Sequence, residues 1–422
     1  MKRTIKFGIF GLGRGSSYYK VVLANNGSIV AVCDKNEDRL QNAKKELGDS
    51  LATYTDFEEF LNHPGLEAVF ICNFFDQHVP FAIRALEKDL HVLSECMAAS
   101  TMAECVALVR AAQKSKGIYM LAENYPFMKV NLEMKRIYDG GTLGKCLYAE
   151  GEYNHPQNPL MTDYIKLYRP FEKHWRNFLP RSYYITHSLG PIMHITGALP
   201  TRVTAMPVFS PDEPDLLMGL DVGDRAAIIT TLNNDDSVFR VTGCSAFGSH
   251  GSAYRICGVK GQIENLRSEH CKRISLRYNP WQIPEGAEEE SVYEPAWNDP
   301  DEKLIEESGH GGGDFFVIRE FFNCIREGKT PFFDVHRATT MASVAILAHR
   351  SLMERGVPYD VPDFHREEDL QKYENDTLTP FYGADGSAPT LPCCSHPDYK
   401  PQEKDVARYR AILEDDSIKP PF

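Results

Sequence analysis

Short apolar runs and longer amphipathic stretches alternate over the first 125 residues. "IKFGIF" (5–10) is an apolar run closed by glycines, the pattern of a parallel strand buried on both faces. A helix is predicted from about Ser17 to Ala24, then a second strand "SIVAVCD" (28–34) ending in an acid, then a helix over 36–47. "DFEEFLNHP" reads as a short helix stopped by Pro64, "LEAVFIC" (66–72) as a third strand and "HVPFAIRALEKD" (78–89) as a helix. "LHVLSE" is a fourth strand, "TMAECVALVRAAQKSKG" a helix ended by Gly117, and "IYMLAEN" (118–124) a fifth strand. Such alternation with short connections predicts a parallel sheet covered on both faces.

After about residue 126 the period changes. One helix runs through "VNLEMKRIYDGG", and strands then dominate: 145–155, 202–209, 225–234, 237–247 and 254–266. Several alternate apolar and polar residues, as a sheet with one wet face does. Residues 314–327 and 335–355 have helical patterns. The tail after "VPDF" (361–364) is rich in Pro, Asp and Glu, and predicts an extended surface arm with a short helix near 403–414.

Composition narrows the setting. The 422 residues are 42% hydrophobic and 25% charged, as in ordinary globular proteins. A formal net charge of −13 argues against nucleic acid or an anionic membrane as partner. The eleven cysteines have no regular spacing, and most (Cys33, Cys72, Cys105, Cys244, Cys257, Cys324) lie in apolar runs. That usage suits a reducing compartment. "CCSH" (393–396) has neither CxxC spacing nor a second ligand cluster, so no metal site is expected. "MKRTIKFGIFGLG" enters a strand at once, and no apolar run is long enough to span a bilayer. A cytoplasmic protein is expected.

"GIFGLGRGSSYY" places Gly11, Gly13 and Gly15 at a strand-to-helix turn, with Arg14 and Ser16 between and after them. Glycines there let the backbone approach a pyrophosphate, which meets the free N–H groups of the helix N-terminus. Asp34 ends the second strand about 20 residues later, where a carboxylate binds ribose hydroxyls. The acid prefers NAD to NADP, although Lys35 and Arg39 stand beside it. The chain thus reads as an α/β Rossmann domain (1–125), then an α+β domain (126–362) with a large, open, mostly antiparallel sheet, and a C-terminal arm (363–422). The late helices of the second domain are expected to pack back on the first.

Over roughly residues 4–364 the chain resembles the Gfo/Idh/MocA oxidoreductases. The likeness rests on the glycine turn, "ICNFFDQHVPFAIRALEKDLHVLSE" (71–95), the strand-rich second half and "GVPYDVPDF" (356–364). Where that family has Glu-Lys-Pro, this chain has Glu95-Cys96-Met97. Another branch also departs there, the NAD-dependent glycoside hydrolases typified by α-N-acetylgalactosaminidases. "AENYPF" (122–127), "AEGEYNH" (149–155), "YITHSLGPI" (184–192) and "HGGGDFF" (310–316) are similar to motifs of that branch. The resemblance implies cofactor contacts from Asn73, His78, Glu95 and Asn124, a sugar or cyclitol substrate on the open sheet, and pairing of copies through that sheet as a homodimer or homotetramer.

Hydride transfer from an alcohol needs a proton acceptor and donors for the developing oxyanion. Tyr153, His155, Tyr184, His187 and His310 are the candidates, His310 as a substrate contact. Tyrosine ordinarily titrates at about 10, and a cationic nicotinamide nearby would favour the phenolate. Histidine as a residue type suits proton transfer near neutral pH, and Tyr184 shares the face of His187 if the segment is one helical turn. His174, Trp175 and Arg176 offer an aromatic face and a cation to a sugar, or an interface anchor. His310 lies in a loop whose glycines permit close approach, with Asp314 as the cap of the next helix. His194 is expected in the core. Cys96 could in principle shuttle a proton, but the missing lysine points instead to proton transfer by Tyr153 and His187.

The expected function is an NAD-dependent oxidoreductase acting on a sugar or glycoside, with hydride leaving a ring carbon, carbon 3. One alternative is a redox-neutral glycosidase that oxidises transiently, eliminates, adds water and reduces again. The missing lysine motivates another, a catalytically silent NAD-binding scaffold or sensor. The presence of Tyr153, His155, Tyr184 and His187 argues against it.

Overall fold

The strands of the first half are β1 (Ile5–Phe10), β2 (Gly27–Cys33), β3 (Ala52–Tyr54), β4 (Ala68–Ile71), β5 (His91–Ser94) and β6 (Tyr119–Leu121). They form one parallel sheet in the order β3-β2-β1-β4-β5-β6. The computed structural model describes residues 3–158, 160–211, 219–267 and 272–420. The pattern predicts five strands here and the sheet has six. β3 is short and only half-buried, so no apolar run marks it. The helix after the glycine turn begins at Leu12, not Ser17, and passes through a 3-10 turn at Ser16–Tyr18 before Tyr19–Ala24.

Local chemistry starts the helices. Asn36 accepts from the backbone N–H groups of Asp38 and Arg39 to cap Glu37–Leu47. Thr101 and Glu104 form a capping box at Met102–Lys114.

Packing divides the chain into two units, each discontinuous in sequence. The first comprises residues 1–133, 295–342 and 364–375. Its core joins the sheet to the late helix Gly313–Glu327. Phe7 of β1 meets Phe322 edge-on at 5.2 Å and Phe321 at 6.3 Å. The predicted tail does not run as one arm. Residues 364–375 include a helix, Glu367–Tyr373, with Leu370 and Tyr373 buried in the first unit, and residues 376–422 belong to the second. The helix near 403–414 is present as Glu403–Glu414.

The second unit holds β7 (Cys146–Asn154), β8 (Pro200–Phe209), β9 (Asp224–Asn233), β10 (Val238–Thr242), β11 (Gly251–Gly258), β12 (Gly261–Asn265), β13 (Ile274–Tyr278), β14 (Glu290–Tyr293) and β15 (Tyr359–Asp360). Their order is β14-β13-β12-β11-β7-β10-β9-β8-β15, antiparallel except for β7 beside β10. The single strand predicted over 254–266 is a hairpin, β11 and β12, turning at Val259–Lys260 between two glycines. β13, β14 and β15 escape the sequence pattern because each is five residues or fewer, and β14 and β15 lie at the sheet's edges.

The sheet's two faces differ sharply. The buried helix Thr186–Thr196 lies against β7 and β11 on the face of Gly151 and Tyr153. On the other face Glu150 takes Arg240 at 3.0 Å and Arg255 at 3.1 Å, and Glu152 takes Arg267 at 2.8 Å.

His349 and His194 are among the buried, neutral histidines of this unit. His349 bonds the Pro392 carbonyl at 2.7 Å, and burial pushes its pKa down to about 4. Burial, then Lys135, pushes His194 down to about 3. In the unfolded chain both rings take up protons below about pH 6.5. Their contribution is therefore complete above that pH and declines on acidification towards 4, at up to about 1.4 kcal/mol per pH unit per ring. The melting midpoint should fall across this window, and His349→Gln should flatten the fall. A midpoint equally steep in the variant would show that His349 is not neutral in the fold.

Candidate active site

The nucleotide half sits at the carboxyl end of the parallel sheet, where the strand order reverses between β1 and β4. Ligands of open α/β sheets bind there. Gly11 has φ +90°, and a Cβ on it would lie 2.6 Å from the backbone of Cys72 and Asn73. On Gly15 it would lie 2.5 Å from the Ile9 side chain. The glycines thus let the turn close over the next strand's end. Gly13 lies under the Arg39 guanidinium, and Ser16 begins the 3-10 turn. Asp34 is buried at the end of β2. It accepts from the Leu12 N–H at 2.7 Å and the Asn36 N–H at 2.8 Å, with Arg39 at 3.6 Å.

Arg14 is the hub of this half. Its Nε donates to Glu95 at 3.0 Å, Nη1 to Ser17 at 2.9 Å, and Nη2 to Tyr18 and Asp314, each at 3.0 Å. Asp314 also accepts from the Tyr18 hydroxyl at 3.0 Å, Asn124 Nδ2 at 2.7 Å and His310 Nδ1 at 3.1 Å. Burial alone would raise this carboxyl. The hydrogen bond from His310 and the Arg14 charge instead hold it well below the usual carboxylate range. Asp314 is not the helix cap, a place taken by Gly312. The sequence shows Asp314 in "HGGGD" but not its partners.

Glu95 also accepts from the Cys96 N–H at 3.1 Å. Cys96 donates its thiol to the fully buried Glu123 at 3.2 Å, a pairing that spacing does not reveal. The Cys96–Met97 peptide is cis. His78 is buried with its two ring nitrogens 3.1 Å from the carbonyls of Met97 and Asn73. Burial lowers its pKa against the pull of those carbonyls, so the ring is neutral and donates to one of the two.

The site fits a dinucleotide on its own atoms. The glycines leave a cradle that side chains would fill. Asn73 Oδ1 and Asn124 Oδ1 are buried without hydrogen-bond partners among the described residues, and both stand at the sheet's carboxyl end, ready to accept from a ligand.

In the second unit, Gly151 and Gly243 bring the segment 181–188 down onto the sheet. A Cβ on Gly151 would lie 2.0 Å from the Ser188 carbonyl oxygen, and one on Gly243 1.9 Å from that of Arg181. Four predicted catalytic side chains meet as a result. The Tyr153 ring stacks on His155 at 5.3 Å, meets His187 edge-on at 5.0 Å, and lies 5.7 Å from Tyr184. Tyr184 and His187 are 5.2 Å apart. His250, an exposed loop residue that spacing did not single out, meets His155 at 4.7 Å.

The other predicted substrate contacts are placed differently. His174 is buried, accepts from the Arg176 N–H at 3.3 Å, and is pushed down to about 3 by burial and then by Arg176. Trp175 is buried, and Arg176 lies over the Trp175 and Tyr168 rings. His310 is in the first unit, on Asp314. Among the described residues no helix is long and apolar enough to cross a membrane, and no group of His, Cys, Asp and Glu could hold a metal.

A nucleotide cradle on a parallel sheet, followed by a large sheet domain bearing a cluster of tyrosine and histidine rings, defines an enzyme of the NAD-binding oxidoreductase fold. Comparison with known proteins agrees. Residues 5–123 match the Gfo/Idh/MocA model, described as an oxidoreductase family with an NAD-binding Rossmann fold, and residues 204–371 match the glycosyl hydrolase 109 C-terminal domain. A glycosyl hydrolase family 109 protein of Streptomyces niveus is 27% identical over 395 residues, 87% of this chain and 78% of that one. An alpha-N-acetylgalactosaminidase of Shewanella oneidensis is 24% identical over 391 residues, 86% and 85% of the two chains. Levoglucosan dehydrogenase in complex with NADH shares the fold at TM-score 0.71 and 18% identity, covering 86% of this chain and all of that one.

Gly11→Ala should abolish NAD binding, and Asp314→Asn should weaken it and destabilise the protein by roughly 3 kcal/mol, because Arg14 loses its buried counter-charge. Cofactor titration and thermal melting measure both. Wild-type affinity in Gly11→Ala would place the cofactor elsewhere.

Proposed function

We propose that the enzyme is a redox-neutral, NAD-dependent glycosidase that oxidises ring carbon 3 of its substrate transiently. The observation that carries this reading is the cluster of Tyr153, His155, Tyr184 and His187 on the helix-covered face of the sheet, in a chain whose residues 204–371 match the glycosyl hydrolase 109 domain. Asp34 at the end of β2 supports NAD over NADP by repelling a 2′-phosphate. When bound, the cofactor takes two electrons from carbon 3 and returns them at the end of the cycle.

The remaining steps are acid–base work by the chain. Tyr153 or His187 accepts the carbon-3 hydroxyl proton as the ketone forms. The ketone makes the carbon-2 proton acidic, because the carbanion is conjugated with it, and the partner of the pair removes that proton. The aglycone then leaves carbon 1 with a proton from the cluster. Water adds to carbon 1, a proton returns to carbon 2, and the carbon-3 hydroxyl is restored. The sum is glycoside plus water to free sugar plus aglycone. Since a relative is named an alpha-N-acetylgalactosaminidase, an α-linked N-acetylhexosaminide heads the substrate candidates. The ten described cysteines are free, which supports a reducing, cytoplasmic setting, and pairing of copies through the open sheet face remains part of this proposal.

A panel of aryl glycosides, led by the α-N-acetylgalactosaminide, tests the reading with NADH absorbance and aglycone followed together. Aglycone release without net NADH is expected. Stoichiometric NADH without aglycone would make the protein a sugar dehydrogenase, and bound cofactor with no turnover a scaffold. Tyr153→Phe should lower turnover by roughly 100-fold or more, and near-wild-type turnover would remove Tyr153 from the mechanism.

A further inference from the structure

A proline inside a helix leaves the carbonyl four residues earlier without its intrahelical donor. In the helix Thr186–Thr196 the proline is Pro191, so the carbonyl left over is that of His187. The hydroxyl of Tyr254 donates to it at 2.5 Å. Tyr254 is 1% exposed and lies on β11.

The sheet register explains how a strand residue reaches that carbonyl. Tyr254 is paired directly with Gly151 of β7, and directly paired residues share a face. Gly151 carries no side chain there, and the helix fills the place one would take, at Ser188. A glycine and a tyrosine side by side therefore admit the helix over one strand and reach up to it from the next. The Tyr254 backbone is itself held, its N–H donating to Asn265 Oδ1 at 2.6 Å while Asn265 Nδ2 donates to the Ser252 carbonyl at 2.9 Å.

We propose that Tyr254 is a positioning residue for His187: its hydroxyl replaces the amide that Pro191 lacks, fixing the His187 backbone and so the imidazole against Tyr153 and Tyr184. An unbroken helix would tie this carbonyl to its own next turn. The bond from Tyr254 ties it to β11, the neighbour of the strand that carries Tyr153, so imidazole and phenol are referenced to the same pair of strands. The inference rests on the acid–base reading of His187 given above, and acts through that residue rather than on the substrate.

The test uses full-length protein with isotope-labelled histidine, the His187 ring signal being assigned by its loss in His187→Asn. In Tyr254→Phe the His187 signal should shift or broaden. Turnover of the best aryl glycoside should fall roughly 10- to 100-fold, with KM changed by less than about threefold. Adding Pro191→Ala to Tyr254→Phe restores an N–H facing the His187 carbonyl, and should recover the ring signal and most of the lost kcat. An unmoved His187 signal in Tyr254→Phe would overturn the proposal, and so would a double variant as impaired as the single one, which is what a packing role alone predicts. Wild-type turnover in His187→Asn would instead overturn the acid–base reading, while the ring signal would still report whether Tyr254 sets the histidine.

Discussion

In each unit a segment is seated where backbone meets a neighbouring group more closely than a side chain allows. Gly11 lets the first turn close against Cys72 and Asn73 at the end of β4. Gly151 and Gly243 let the segment 181–188 settle on the sheet with carbonyls about 2 Å from where a Cβ would stand. The rest follows from these approaches. The first leaves the buried, unpartnered Asn73 and Asn124 oxygens at the carboxyl end of the sheet. The second lowers Tyr184 and His187 onto Tyr153. Side-chain chemistry is cheap to vary, whereas these contacts admit only glycine.

Electrostatics then fixes what the glycines permit. Asp314 draws Arg14, Tyr18, Asn124 and His310 together. The hydrogen bond from His310 and the charge of Arg14 lower its pKa against the effect of burial. The arrangement binds the glycine turn to the end of β6 and to the late helix of the same unit. Arg14 is thereby occupied with protein carboxylates, a structural role that its place in a phosphate-binding turn does not announce. Cys96 is similarly committed, to Glu123.

Much of this was legible in the residues. Apolar runs closed by glycine locate five of six parallel strands, and the glycine turn is readable because a strand precedes it and Asp34 follows. Tyr153, His155, Tyr184 and His187 were chosen from motif likeness and do form one cluster. What escaped has physical reasons. β3 and β13 to β15 are each five residues or fewer, too short for an apolar run to mark them. The partners of Asp314 lie as far as 300 residues away, beyond any local pattern. His174 and Trp175 have the composition of a sugar platform, but tertiary packing buries both. Tyr254 looks like any strand aromatic until Pro191 and the register with Gly151 are seen together.

The central claim is that glycosidic cleavage passes through a carbon-3 ketone that frees the proton on carbon 2. Turnover of an aryl glycoside in deuterium oxide tests it most directly, with the released sugar read by proton NMR. The account predicts deuterium at carbon 2 of the product and no net NADH. Aglycone released with the carbon-2 proton fully retained would contradict it.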